Sequence, residues 1–342
     1  MTINEIAKLA GVSRATVSRY LNQGYVSEEK RERIRNVIEE TGYQPSSQAR
    51  NLRTRKTRLI GVIIPKIDSH TISRMVGGIS TVLAKRGYQL LLANTENNEQ
   101  DELKYLKLFR ENHVDGVILS GTIFTRKHLQ VLKEYQVPVV ILGQYLPGYS
   151  CVYQDEYQAS KELALKMAAS CRCLCFAGVT VQDEAVGRNR LEGFWDALKE
   201  SGQILERSRA AEGVFEVESG MKAAEALLCA NPKMDGLLCA TDDIAVGAML
   251  YLKGMGKRIP QDIRVAGFGD TQIARIIEPN LTTVHFYYKT SGEEAARMLL
   301  DLLETENPVY REMKMGYRIV ERDSFREFGS EQTTLINKTC PQ

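Results

Sequence analysis

At 342 residues the chain has room for a small domain plus one large two-lobed domain, each with its own core. The net charge of +2 points to no partner, but residues 1–60 hold twelve Lys/Arg against six Asp/Glu and the remainder is net −4, as in a phosphate-binding module fused to a soluble sensor. No apolar segment follows a basic start and no run approaches about 18 apolar residues, so neither a signal peptide nor a membrane span is expected, and the protein is expected in the cytoplasm.

Thr2-Ile-Asn-Glu5 has the form of a capping box, and Ile6, Leu9 and Ala10 then give a first helix one apolar face. Ala10-Gly11-Val12-Ser13 breaks that helix, and Ser13 can cap a second one over about Arg14 to Leu21. Val17 and Leu21 turn inward at i, i+4, which leaves Arg14, Ala15, Ser18 and Arg19 on other faces. Two short helices joined by a tight Gly-containing turn make a helix-turn-helix unit, whose second helix lies in the DNA major groove. A third helix begins near Ser27, runs through Ile34, Val37 and Ile38, and stops at Gly42. The positive excess favours nucleic-acid binding over a merely solvated basic surface.

Tyr43-Gln44-Pro45 ends this bundle, because Pro45 cannot continue a helix. Ser46 or Ser47 can cap a short helix through Leu52, too short to be stable alone in water. The stretch from Thr2 to Pro65, and above all Ala-Gly-Val-Ser-x-x-Thr-Val-Ser-Arg within it, resembles the headpiece and hinge of the LacI/GalR family of bacterial repressors. The resemblance implies DNA contacts from Thr2, Ser13, Arg14, Ala15, Thr16, Ser18, Arg19 and Asn22 in the headpiece, and from Ser47, Ala49, Arg50 and Leu52 in the hinge. It also implies that the hinge folds only on DNA, paired with its twin, with Leu52 as the minor-groove wedge that kinks the duplex. Arg14, Ala15 and Arg19 are the expected base-edge contacts, with Arg19 suited to bidentate pairing to guanine. Operator half-sites related by two-fold symmetry require a homodimer.

From Leu59 the pattern changes to near-continuous apolar runs, at Leu59–Pro65, Tyr88–Ala93, Val114–Ser120 and Val137–Gly143, alternating with helix-period segments at Ile72–Arg86, Glu102–Asn112 and His128–Tyr135. A second series follows Tyr153, with strands near Cys173–Ala177, Gly236–Ala240 and Val265–Gly267. Regular alternation predicts parallel sheets wrapped by helices, with a ligand cleft beside the carboxyl ends of the strands. Of the seven cysteines, Cys171, Cys173 and Cys175 alternate along one such run. That spacing reads as one face of a buried strand in preference to a metal site, since no His lies nearby to complete a tetrahedral set.

The expected fold is therefore an all-α helix-turn-helix headpiece plus an α/β two-lobed sensor domain of two doubly wound parallel sheets, which looks like the periplasmic-binding-protein architecture that the family shares. The expected divisions are a headpiece over 1–45, a hinge helix and linker over 46–58, an effector domain over 59–328 and a polar tail over 329–342. The first lobe is expected over about 59–153 and 286–315, and the second over about 154–285 and 316–328, with crossings near Tyr153, His285 and Met315.

No Walker-type lysine loop is present, Gly267-Phe-Gly269 lacks the rest of a dinucleotide fingerprint, and the four histidines pair with no nucleophile. No enzyme, cofactor or metal is expected. By the resemblance, Arg190 in "GRNRLEGFWDAL" holds sugar hydroxyls, for which a planar five-donor group is suited. Phe215, Tyr153 and Phe286 are candidate aromatic platforms, while Ser69, His70, Thr71 and Gln144 face the expected cleft. Two departures from the family pattern stand out: Thr241 where Asn is usual, and Gly269 in place of the first of two Asp, leaving Asp270. Both Thr241 and Asp270 join the candidate effector set, with the ligand's contacts altered from those of lactose-type members. The function so implied is a repressor of a sugar-utilisation operon, released from a palindromic operator by a sugar or sugar-phosphate, with a sucrose-like disaccharide as the specific expectation. The alternatives are a global catabolite regulator co-activated by a phosphorylated carrier protein, and a sugar-binding transport protein. The expected partners are double-stranded operator DNA, a small sugar effector and a second copy of the chain, with no membrane.

Overall fold

The computed structural model describes residues 1–43 and 56–326, in two compact units that divide between Arg58 and Leu59. In the first unit, helix α1 (Ile3–Leu9) is opened by Thr2, whose hydroxyl accepts the Glu5 N–H while the Glu5 carboxylate accepts the Thr2 N–H at 2.7 Å. Gly11 turns the chain at φ +62°, and Ser13 then caps α2 (Arg14–Leu21) by accepting the Thr16 N–H at 3.1 Å. Helix α3 (Glu28–Thr41) ends on left-handed Gly42. Ile6, Ala7, Ala10, Val17, Val26 and Ile34 form the core. Leu9, expected on the apolar face of α1, is 58% exposed instead. Ile6 and Ala10, one turn apart, already fill the short contact that α1 makes with its neighbours, and Leu9 is left on the rim.

The second unit contains two six-stranded sheets. The first joins β1 (Leu59–Ile64), β2 (Gln89–Asn94), β3 (Gly116–Leu119), β4 (Val139–Leu142), β5 (Ser150–Gln154) and β11 (Glu312–Met315) in the order β11-β5-β4-β3-β1-β2, all parallel. Around it run α4 (His70–Lys85), α5 (Glu99–Glu111), α6 (Arg126–Lys133) and α12 (Tyr288–Glu304). The second sheet joins β6 (Leu174–Val179), β7 (Ala210–Gly213), β8 (Gly236–Cys239), β9 (Arg264–Phe268), β10 (Thr282–Phe286) and β12 (Tyr317–Val320) in the order β12-β10-β9-β8-β6-β7. Its helices are α7 (Glu156–Ala168), α8 (Arg190–Glu200), α9 (Val217–Ala230), α10 (Asp242–Gly254) and the short α11 (Gln272–Ile276). Of the three alternating cysteines only Cys175 lies in β6; Cys171, buried, and Cys173, half-buried, stand in the turn before it, because the Arg172 and Cys173 N–H groups are taken by the Asp235 carboxylate and not by a neighbouring strand. No group of three potential metal ligands occurs among the described residues.

The chain passes between the sheets after Gln154, after Phe286 and at Gly316. The third passage explains why the second sheet is not wholly parallel. Strand β11 runs parallel to β5, so it leaves the first sheet at the carboxyl end that faces the cleft, and one residue later β12 meets the second sheet at its own cleft end. It can only run against its neighbour, and β12 pairs antiparallel with β10. The second passage is held by two glycines. A Cβ on Gly78 of α4 would lie 2.1 Å from the Lys289 carbonyl oxygen, and one on Gly292 of α12 would lie 2.1 Å from that of Met75. Only glycine at both positions lets these helices touch backbone to backbone.

One buried pair in the first lobe is imperfectly satisfied. Glu102 Oε1 and His128 Nε2 are 3.3 Å apart, yet both lack a hydrogen-bond partner in good geometry. His128 Nδ1 accepts the Thr125 N–H at 3.2 Å, which places the proton of the neutral ring on Nε2. Burial, with a smaller push from Glu99, raises the Glu102 carboxyl from 4.5 to about 7. Burial likewise lowers the His128 pKa, against the pull of Glu99. A carboxyl raised on folding contributes stability that is complete below its unfolded pKa and is lost as pH rises through about 7. Glu102→Gln should therefore flatten the stability profile over that window and gain about 3 kcal/mol on the native protein between pH 4.5 and 8, read from urea denaturation at the two pH values. Parallel profiles for the two proteins would show that Glu102 does not titrate this way.

Candidate functional site

The first candidate face is α2. Arg14, Ala15, Arg19 and Asn22 are exposed on it, Ser18 and Thr16 are half-buried, and Val17 is in the core. Among the described residues neither Arg14 nor Arg19 enters an ion pair, so both guanidinium groups remain available to an anionic partner. The hydroxyls of Thr2, Ser13 and Thr16 are engaged locally: Thr2 and Ser13 cap their helices, and Ser13 Oγ lies 2.9 Å from Thr16 Oγ1. Asn22 donates to the Ser18 carbonyl. Gly24 is a residue that sequence reasoning passed over. A Cβ there would lie 2.7 Å from Arg19 Cγ, so the turn after α2 leaves room for the arginine stem. Ser47, Ala49, Arg50 and Leu52, with the whole hinge reading, lie outside the described residues, as does the tail from 329.

The second candidate site is a cleft of about 260 Å³ at the carboxyl ends of both sheets. Lys66, Asp68, Ser69, His70 and Thr71 reach it from the turn between β1 and α4, with Asn97 and Thr122 beside them. From the other lobe come Asp183, Arg190, Phe215, Thr241, Asp242 and Asp243, and Tyr288 closes one end.

Arg190 is 2% exposed and is held on every side. Its Nε donates to Glu156 Oε2 at 2.7 Å, an Nη1 hydrogen bond goes to the Ala240 carbonyl, and the guanidinium lies 4.5 Å from the Phe268 ring centroid and 5.4 Å from that of Phe286. Burial opposes its charge, but Glu156 and Tyr288 outweigh that and its pKa is raised. Asp242 is equally fixed. Its Oδ2 accepts the Thr271 N–H and hydroxyl, both at 2.8 Å, and its Oδ1 accepts the Thr283 hydroxyl at 2.5 Å. Burial raises its pKa in spite of those donors.

Thr241 and Asp183 cap elements, accepting the Ile244 N–H at 3.2 Å and the Val186 N–H at 2.9 Å. Asp183 opens a π-helical turn over Glu184–Asn189 that leads into α8. Asp243 is exposed to the cleft. Partial burial raises its pKa, while Lys66 and His70 on the opposite lobe pull it down.

Of the effector candidates, Ser69, His70, Thr71, Arg190, Phe215 and Thr241 meet at this cleft. Four do not. Gln144 and Tyr153 line a separate hollow of about 780 Å³. Phe286 is fully buried behind Arg190. Asp270 is buried beneath two arginines and a histidine, with Arg275 Nη2 at 2.7 Å, His285 Nδ1 at 2.8 Å and Arg322 as the third neighbour. Although burial opposes its charge, Arg275, Arg322 and His285 hold its carboxyl down at about 2. The carboxylates that do line the cleft, Asp68, Asp183, Asp242 and Asp243, were not singled out from the sequence. The signal was present, since Asp183 and Asp242 each open a helical segment directly beyond a strand, where open α/β sheets bind ligands.

The Arg190–Glu156 contact has an energetic consequence. Arg190→Ala leaves a buried carboxylate unpaired and should lower stability by about 3–5 kcal/mol. Adding Glu156→Gln to an Arg190→Met background should restore most of the loss, because neither charge then remains. Equal chemical-denaturation midpoints for Arg190→Ala and native protein would contradict this assignment.

Comparison with known proteins agrees with both halves of this picture. Residues 2–46 match the family described as bacterial regulatory proteins, lacI family, and residues 167–325 match a periplasmic binding protein-like domain. The chain is 33% identical over 303 residues to the sucrose operon repressor of Staphylococcus xylosus, covering 88% of this chain and 93% of that one. It is 33% identical over 310 residues to the ribose operon repressor of Halalkalibacterium halodurans, covering 89% and 90%. A transcriptional regulator CelR–cellobiose complex is 28% identical, with a TM-score of 0.73 over 95% of this chain and 99% of that one. With a helix-turn-helix pair in residues 1–43 and a cleft between two lobes in residues 59–326, the chain belongs to the lacI family of bacterial regulatory proteins.

Proposed function

We propose that this chain is a homodimeric repressor of a sugar-utilisation operon, released from a palindromic operator when an unphosphorylated saccharide binds between the lobes. The observation that carries the ligand class is the lining of the cleft. Asp68, Asp183 and Asp243, with Asp242 fully bonded behind them, stand against Lys66, His70 and an Arg190 already neutralised by Glu156. Carboxylates accept hydrogen bonds from hydroxyl groups and repel phosphate esters. Phe215 supplies an apolar face for the C–H side of a sugar ring. Ser69, His70, Thr71 and Thr241 complete the proposed contact set from the walls, and Arg190 supports it from below. Operator recognition is assigned to Arg14, Ala15 and Arg19, with Ser18 and Asn22 beside them and Thr2, Ser13 and Thr16 holding the helix starts. The relatives named above, repressors of sucrose and ribose operons, agree with a saccharide ligand.

The test begins with a duplex selected from a random pool by the purified protein, used in fluorescence anisotropy. A saccharide from a panel of sucrose, cellobiose and ribose should lower operator affinity about 5–150-fold, the range of typical allosteric coupling. The corresponding phosphate esters should not. Release by an ester alone would overturn the charge argument. Phe215→Ala should raise the saccharide concentration needed about tenfold, through loss of ring contact. In the same assay Arg19→Ala should cost about 1–3 kcal/mol of operator binding and relax preference at one base pair per half-site. Unchanged sequence preference would remove Arg19 from the recognition set.

A further inference from the structure

The hollow of about 780 Å³ that holds Gln144 and Tyr153 shares no lining residue with the first cleft. Three of its lining side chains, Gln144, Gln154 and Glu156, are buried, and their partners decide which of their atoms are left over. Gln144 Nε2 donates to the Gly121 carbonyl, which can only accept, so the amide oxygen is the unengaged atom. Gln154 Nε2 donates at 3.2 Å to the Ser291 hydroxyl, whose own hydrogen goes to the Tyr288 carbonyl at 2.8 Å, and again the oxygen is left. Glu156 receives Arg190 Nε on Oε2 at 2.7 Å and keeps Oε1 unengaged. None of these three oxygens has a hydrogen-bond partner among the described residues, and none is wholly closed off from solvent. A buried acceptor without a donor costs about 1–3 kcal/mol, so three of them beside one hollow call for a ligand that brings N–H or O–H groups.

The ionisable groups set the charge of that ligand. Asp155, Glu156, Glu184 and Glu312 line the hollow against a single cation, Lys314. Arg190 neutralises Glu156, Arg188 lies 3.0 Å from Glu184, and Lys314 lies 3.7 Å from Asp155. Glu312 is left with no cation within ion-pair distance among the described residues, and accepts only the Tyr153 hydroxyl hydrogen. The Tyr153 ring lies 5.9 Å from that of Tyr145, inclined at 53°, and Tyr145 is 48% exposed. A carboxylate without a counter-ion beside two aromatic rings suits an organic cation, which ring faces attract within about 6 Å. A sugar hydroxyl must accept as well as donate, yet Tyr153 spends its hydrogen on Glu312 and Tyr157 donates to Asp196 at 2.6 Å; an ammonium group only donates. We infer that this hollow is a second ligand site, separate from the first cleft, for an aliphatic diamine or polyamine. One ammonium group pairs with Glu312 beside Tyr145 and Tyr153, a second donates to the buried oxygens of Gln144, Gln154 and Glu156, and the methylene chain covers the rings. A volume of about 780 Å³ falls within the ~300–1,000 Å³ usual for such sites.

Isothermal titration of the full chain with putrescine and spermidine tests this, at about 0.15 M salt to screen loose surface attraction. One molecule should bind per chain, with a dissociation constant below about 1 mM. Two analogues separate the requirements: 1,4-butanediol keeps putrescine's length without its charge, and tetramethylammonium keeps the charge without N–H donors. Each should bind at least about tenfold more weakly than putrescine. Glu312→Gln should weaken putrescine about tenfold and Tyr145→Ala about 2–5-fold, whereas Tyr145→Phe, which keeps the ring, should match native protein. Thermal melting of each variant shows that it is folded, and the exposed Tyr145 serves where Glu312→Gln does not fold. Three results would each overturn the amine site: no saturable binding of either amine to native protein, butanediol or tetramethylammonium binding as tightly as putrescine, or normally melting Glu312→Gln and Tyr145→Ala proteins that bind putrescine undiminished. Saccharide release of the operator reads the first cleft and is judged separately.

Discussion

The space between the lobes is organised around one buried guanidinium. Arg190 opens α8, yet its partners come from elsewhere in the chain: Glu156 from the start of α7, the Ala240 carbonyl from the end of β8, Phe268 from β9 and Phe286 from β10. Glu156 lies two residues past the first passage between the sheets, and Phe286 and Tyr288 bracket the second. One side chain thus ties the cleft wall to two of the three places where the lobes are joined. A buried ion pair is a poor source of net stability, because desolvation offsets its attraction. Its physical effect here is to fix position, since a planar group bonded at Nε and Nη1 and covered by two rings has no other rotamer to adopt.

That arrangement explains why candidate contacts divided as they did. Residue type and strand-end position identify groups that can reach the cleft, but partner competition decides which remain available to a ligand. Asp270 has the right type and place, yet Arg275, Arg322 and His285 surround it and tie the β9 end to the strands beside it. Asp243, at the first turn of α10, has its strongest charged neighbours on the opposite lobe. The difference between two aspartates of equal chemistry is set by which neighbours the fold supplies, from Arg275 five residues on to Arg322 fifty-two residues on for Asp270, and from the opposite lobe for Asp243.

The legibility of the chain follows the same line. Elements whose signal is local were plain: the Thr2–Glu5 capping box, the Gly11 turn, the Ser13 cap, the Gly42 stop and the buried runs of β1, β3, β4, β8 and β9. Strands such as β7, β11 and β12 carry mixed or exposed side chains at sheet edges, so no apolar run marks them. The reversed direction of β12 is not a property of its residues at all; it follows from where β11 leaves the first sheet. Leu9 shows the limit of periodicity, which names a face without saying how far the neighbouring helices extend over it. The separation of Gln144 and Tyr153 from Arg190 was equally beyond reach, since it depends on the π-helical segment that stands between two cavities.

Electrostatics across the cleft supplies the last link to regulation. Lys66 and His70 belong to one lobe and Asp243 to the other, with no backbone connection between them at that point. While water fills the gap, their attraction is screened; a ligand that displaces the water lowers the local dielectric and strengthens it. A hydroxyl-rich ligand can in addition bond to both walls at once, which it can do only when they are close. Both effects favour the closed arrangement, and a ligand shifts a conformational equilibrium only by its difference in affinity for the two states. A compact ion would satisfy one wall and leave the other hydrated. A ligand long enough to reach both walls would bond to them together only at their closed separation, and it is this span, more than the strength of any single contact, that would couple binding to lobe position.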